Sequence, residues 1–238
     1  MGRPPTDPSP PAPGTVPGSD SLLGRAILEA IEGAGPDAGL TDDNDEVTTR
    51  LLDAAHAQFC RMGIRRSTME DVARRAGVSR ITAYRRFATK DALVKHVIRR
   101  EFRRYFDQFP VDIQTAGTAA DRVVLGFVSS LQALRHNQLI GGLMTAEPDV
   151  VIPSLVGDGG LMLATVQRFV AGQLRKEQHA GHISGRVDVE LVAELMTRLS
   201  CSFLVTPSFV VDLDDTEQLS TVARRFLAPM LQHDPRTG

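Results

Sequence analysis

"STMEDVARRAGVSRITAYRRF", residues 67–87, holds two short helix signatures that almost touch. The first opens on a Ser/Thr cap, places Glu70 three residues after Ser67 and stops at Gly77. A hydroxyl followed three positions later by a carboxylate is a capping box, and a glycine after the last periodic residue is a helix stop. Only Val78 separates that stop from Ser79, the next cap. Two short helices joined by a glycine-containing turn are the sequence form of a helix-turn-helix. Met69, Val72, Ala73 and Ala76 on the first helix, with Ala83 and Phe87 on the second, are expected to form its small core.

Working outward, Val47, Leu51, Ala54, Ala55, Gln58 and Phe59 trace one face of a preceding helix that stops at Met62–Gly63. A following helix starts at the Thr89 cap and is expected to end near Phe109, because Pro110 cannot donate a backbone hydrogen bond. Helical periodicity then recurs over about 117–136, 138–146, 150–155, 159–179, 187–206 and 215–232, broken by proline, by Gly157–Gly160, by "HAGHISGR" and by "TPSFVVDLDD". "SFVVDL", 208–213, alternates like a strand but is too isolated to make a sheet. No internal repeat is visible. The fold class read from these patterns is all-α.

The N-terminal end is different in kind. Residues 1–21 hold seven of the 14 prolines and bury too little apolar surface to offset ordering, so a disordered arm is expected there. Leu22, Leu23, Ala26, Ile27, Ala30 and Ile31 predict a short amphipathic helix within 22–34, followed by an acidic linker. The expected domains are therefore 1–45, an arm with that short helix; 46–92, the helix-turn-helix head; and 93–234, a helical domain reached through the helix that starts at Thr89.

Charge is unevenly spread. Residues 61–105 carry 14 Lys and Arg against 4 Asp and Glu, whereas the whole chain has a net charge of −2. A basic block inside an acidic chain points to a polyanion partner served by one region. A recognition helix lying in the DNA major groove needs one buried face and one face of hydrogen-bonding and cationic groups. The segment 79–87 supplies both: Ala83 and Phe87 turn inward, while Arg80, Ile81, Thr82 and Arg85 face outward with Tyr84 at backbone height. Double-stranded DNA is the expected partner.

Residues 48–94, "TTRLLDAAHAQFCRMGIRRSTMEDVARRAGVSRITAYRRFATKDALV", resemble the DNA-binding domain of the TetR family of bacterial transcriptional regulators. The matching elements are Phe59–Gly63, Thr68, Val72–Ala73, Ala76–Gly77–Val78, Ser79, Tyr84, Phe87 and the Lys90–Leu93 pair. The resemblance implies a homodimer with a three-helix head on operator DNA. It implies a helical C-terminal domain that binds a small effector or dimerises, with ligand binding releasing the DNA. It further implies that Thr68, Tyr84 and Lys90 touch phosphates and that Arg80, Ile81 and Thr82 face bases; Ser79, Arg85 and Arg86 complete the expected interface. Ile81 stands where the family often has a small residue, and Arg86 replaces a frequent His or Tyr, so no operator sequence follows.

Candidate ligand-lining residues are Phe127, Leu131, Leu143, Met144, Met162, Phe169 and Phe203, with Leu134, Leu161 and Val166 on the same stripes. Few charges fall among them, which favours a small, largely apolar effector. The alternative is a C-terminal domain that only dimerises or binds a protein partner. Leu191, Leu195, Leu199 and Phe203, and Leu219, Val222, Ala223, Phe226 and Met230, are the stripes expected to pair across a two-fold axis. Phosphate-cradling, dinucleotide and nucleophile-elbow motifs are missing, so neither an enzyme nor a cofactor is expected. His179 and His182 lack a third ligand in sequence, so no metal is expected, and Cys60 continues an apolar helix face. No apolar run approaches the roughly 20 residues of a membrane-spanning helix. No secretory signal is expected behind Arg3, and a cytoplasmic protein is the expectation.

Overall fold

The computed structural model describes residues 22–32, 46–149, 151–152 and 161–232. The expected Pro-rich arm 1–21, the linker 33–45 and the break at Gly157–Gly160 lie outside the described residues. Among the described residues every regular element is a helix.

The head is α2 (Glu46–Met62), α3 (Met69–Ala76) and α4 (Arg80–Arg86). The capping box falls one residue later than the sequence suggested. Thr68, not Ser67, is the N-cap: its hydroxyl accepts from Asp71 N, and the Asp71 carboxylate accepts from Thr68 N. "STMED" offers the motif in two registers, and tertiary contact chooses between them. Ser67 is buried and donates its hydroxyl to the Gly63 carbonyl at 2.6 Å, so it is not available to cap. Gly77 ends α3 in the left-handed region at φ 65°, where a side chain would be strained.

α5 (Lys90–Ile113) starts at the Thr89 cap and runs through Pro110. Termination at Phe109 is thus corrected. The proline removes one backbone hydrogen bond, yet Phe106 and Phe109 pack edge-on against Phe169, with centroids 4.9 and 5.6 Å away, and Ile113 is buried one turn on. Aromatic packing holds the last turn.

The remainder is α6 (Ala119–His136), α7 (Ile140–Ala146), α8 (Leu161–His179), α9 (Val189–Val205) and α10 (Thr216–Val222). Beyond α10 the chain widens into a π turn, Ala223–Leu227, and tightens into a 3-10 turn, Ala228–Leu231, around Pro229. The last segment is therefore not the uniform helix its periodicity suggested. The stretch 208–213 is irregular, with Phe209 and Val210 almost fully exposed.

Two apolar clusters organise the molecule. One runs without a break from the head, through Leu51, Phe59, Val72, Ala83 and Phe87, into Leu93, Ile98, Phe102 and Phe106 of α5 and on to Leu143 and Met162. It also takes in Ala26, Ile27 and Ala30 of the N-terminal helix α1 (Leu22–Glu32), which packs on α5 and α8. The second cluster joins α6, α8, α9 and the C-terminal segment. Leu219 and Ala223 are wholly buried there, so they are not available to a second subunit. Leu191, Leu195 and Phe226, by contrast, are about half exposed.

Candidate nucleic-acid interface and internal cavity

Ser79 caps α4 by accepting from Thr82 N at 3.0 Å. Ala83 and Phe87 anchor the inward face. The outward face carries Ile81, 80% exposed, with Tyr84, Arg85 and Arg86 also exposed. Arg80 is already engaged: its Nε lies 2.7 Å from Glu70 Oε1, and its guanidinium sits 5.4 Å over the Tyr84 ring. Thr82 Oγ1 lies 2.8 Å from Ser79 Oγ. Seven of the expected interface residues thus share one short helix and its cap, and Thr68 stands exposed at the start of α3.

Asp71 shapes that start. Hydrogen bonds from Thr68 and then Arg74 hold its carboxyl below the ordinary carboxylate value. Lys90 is placed differently from expectation. Its ammonium donates to the carbonyls of Ile64 at 3.0 Å, Ser67 at 3.2 Å and Arg65 at 3.5 Å. It braces the turn between α2 and α3. Arg50, which pattern reading passed over, does similar work by donating to the carbonyls of Ala76 at 2.7 Å and Gly77 at 3.1 Å.

That same turn touches the C-terminal domain. Arg65 N donates to Glu147 Oε1 at 3.1 Å, and the Arg65 guanidinium pairs with Asp149. Gly63, at φ 77°, leaves room for the contact: a Cβ there would lie 2.2 Å from Glu147 Oε1.

The distal half of α5 and helices α6 to α9 line a cavity of about 190 Å³. Phe127, Leu131, Met144, Met162 and Phe169 line it, together with Leu134 and Val166. Leu143 does not; it packs in the cluster shared with the head. Phe203 stands behind Phe127, ring centroids 6.1 Å apart, and the side chain of Leu161 lies outside the described residues. Pattern reading missed Ile27, Tyr105, Phe109, Arg122 and Thr197. The first three repeat at helical spacing like any core residue, so nothing in sequence marks them as lining.

The cavity's polar groups are few and mostly satisfied. Tyr105 donates to Ser130 Oγ at 2.8 Å; burial outweighs that bond and, with Asp112 nearby, pushes the phenol up to about 12. Arg122 pairs with Glu177, so the wall carries no net charge from them. Burial pushes the Glu177 carboxyl up, but a hydrogen bond from His182 and the charge and hydrogen bond of Arg122, with help from Gln114, outweigh burial and hold it below its ordinary value. His182 is thereby engaged with Glu177, its Nδ1 2.9 Å from Oε2. Thr197 Oγ1 is buried with no hydrogen-bond partner among the described residues. Among these residues no group of three His, Cys, Asp or Glu side chains is placed to hold a metal, and no helix is long and apolar enough to cross a membrane.

The family model described as "Bacterial regulatory proteins, tetR family" matches residues 51–97, which cover most of α2, all of α3 and α4, and the start of α5. The head of the chain thus matches the TetR family. Among relatives, the uncharacterized HTH-type transcriptional regulator MT1294 of Mycobacterium tuberculosis is 27% identical over 121 residues, spanning 51% of this chain and 60% of its own length. Among solved structures, the TetR family repressor AlkX from Dietzia sp. strain DQ12-45-1b superposes with a TM-score of 0.54 at 23% identity, covering 77% of this chain and 94% of its own. The transcriptional regulator FadR from Bacillus subtilis, solved in complex with stearoyl-CoA, gives 0.51 at 17% identity over 77% and 97%. At such identity the two structures establish the TetR-like fold. The relative and both solved structures carry the names of transcriptional regulators.

Proposed function

We propose that this protein is a TetR-type transcriptional repressor that binds operator DNA as a homodimer and is released by a small, largely apolar ligand occupying the cavity. The observation that carries this reading is the single apolar cluster joining the head to the cavity through α5. Leu93 and Ile98 of α5 pack inside the head, while Phe102 and Phe106 on the same helix line the cavity. A ligand that moves the distal half of α5 therefore moves the base of the recognition unit. It acts only if it binds the DNA-free arrangement more tightly. An apolar cavity of roughly 150 Å³ admits a benzene-sized molecule, so this one has room for an apolar group. The names of AlkX, implicated in biodegradation of n-alkanes, and of FadR with stearoyl-CoA point the same way.

On the DNA side, Arg80, Ile81 and Thr82 face bases, and Thr68, Ser79, Tyr84, Arg85 and Arg86 face phosphates. The test begins with an operator selected from random duplexes. A panel of alcohols, esters and acyl thioesters of graded chain length is then screened for a raised thermal midpoint and for release of that operator. The expected result is at least one apolar compound that does both. In Phe127→Trp, which fills the cavity, that compound should lose its effect while operator affinity stays within about twofold. If the whole panel leaves both readouts unmoved, the C-terminal domain serves dimerisation or a protein partner instead.

A further inference from the structure

α1 lies upstream of the family-matched segment, yet it is built into the core. Ala26 and Ala30, one turn apart, are fully buried, and Ile27 is 3% exposed. Ile27 also lines the cavity, with Phe102 and Phe106 of α5 and Met162 of α8 among the other wall residues. Glu29 pairs with Lys95 and lies 3.9 Å from Arg99, two cations one turn apart on α5. Half-buried, solvent-reachable ion pairs of this kind contribute modestly. The apolar side chains therefore hold α1 in place, and the charges select its register along α5.

We propose that α1 is a wall of the effector site, and that Ile27 contacts the bound effector and limits its size. This rests on the effector reading of the cavity. The small neighbours Ala26 and Ala30 bring the α1 backbone close to α5, and among the described residues of α1 Ile27 is the side chain that reaches the cavity. Enlarging it takes space from the ligand, and shortening it gives space back.

The chain contains no tryptophan, so Ile27→Trp introduces its sole indole. The probe is N-phenyl-1-naphthylamine, an uncharged apolar fluorophore, titrated into wild type, Ile27→Trp and Ile27→Ala. Wild type should bind it saturably, one molecule per chain. Ile27→Ala should bind at least about tenfold more tightly than Ile27→Trp, since overfilling a packed wall is costly. The indole should emit as a buried group and be quenched by whatever probe still binds. Equal affinity of the two variants, or an indole that emits as if in water, overturns the assignment of Ile27 and leaves the effector reading standing. Failure of wild type to bind the probe saturably overturns the effector reading itself, and this inference with it.

Discussion

Arg80 and Lys90 are both cations of the basic segment, and their surroundings differ. Arg80 is two-thirds exposed at the first turn of α4, held among the described residues by Glu70 and the Tyr84 ring. DNA can take it from Glu70, and its fork matches guanine O6 and N7. Arg80→Ala should weaken binding to the preferred operator by about 1–3 kcal/mol and relax the preference at one base pair of each half-site. Lys90 is committed to three carbonyls, and removing it leaves them without their charged donor. Lys90→Ala should lower folding stability by about 1–3 kcal/mol. It should leave the salt dependence of DNA binding unchanged, because no phosphate contact is lost. Operator titrations at two salt concentrations, with a denaturant melt, separate the two. A flatter salt slope in Lys90→Ala would return Lys90 to the phosphates. The sequence marks both residues as basic and helix-initial; it does not show that 23 to 26 residues earlier lie the carbonyls that capture Lys90.

At the scale of elements, the turn between α2 and α3 is where head and C-terminal domain meet. Glu147 and Asp149 reach it from the segment after α7, and Met144 and Val151 on either side of them line the cavity. Gly63→Ala adds a methyl where Glu147 Oε1 already sits and strains a positive φ. It should cost about 1–3 kcal/mol of stability. Combined with Glu147→Ala, which vacates the space, the loss should fall short of the sum of the single changes. Additive losses in denaturant melts would mean that the turn does not feel Glu147. The glycine stop after α2 is legible in sequence. That Glu147 arrives 84 residues later to fill the space beside it is not, since no local pattern links the two.

For the whole molecule, the apolar surface left on one subunit argues for a second. Leu191, Leu195 and Phe226 are about half exposed, whereas Leu219 and Ala223 of the expected pairing stripe are consumed inside the subunit. A dimer built on the exposed set would hold two heads over successive major-groove faces, roughly 34–36 Å apart or a multiple of that. Leu191→Glu with Phe226→Glu should give a monomer by light scattering at micromolar concentration, with the thermal midpoint lowered and operator affinity reduced by about tenfold or more. A double variant that still scatters as a dimer would place the interface elsewhere.

What the sequence by itself determined is the part governed by contacts within a few residues. The caps Ser79 and Thr89, the stop at Gly77, the 3.6-residue stripes and the arginines of 80–86 specify an all-α chain with a helix-turn-helix head, because each depends on neighbours one helical turn away. Only the tertiary structure decided the rest. It carried α5 past Pro110 on the ring of Phe169, buried Leu219 while leaving Leu191 exposed, turned Lys90 inward and set Ile27 in the wall of a cavity. A helical stripe says that a residue faces something apolar. Which partner it meets, and whether the meeting leaves a void, depends on side chains that stand far apart in the chain.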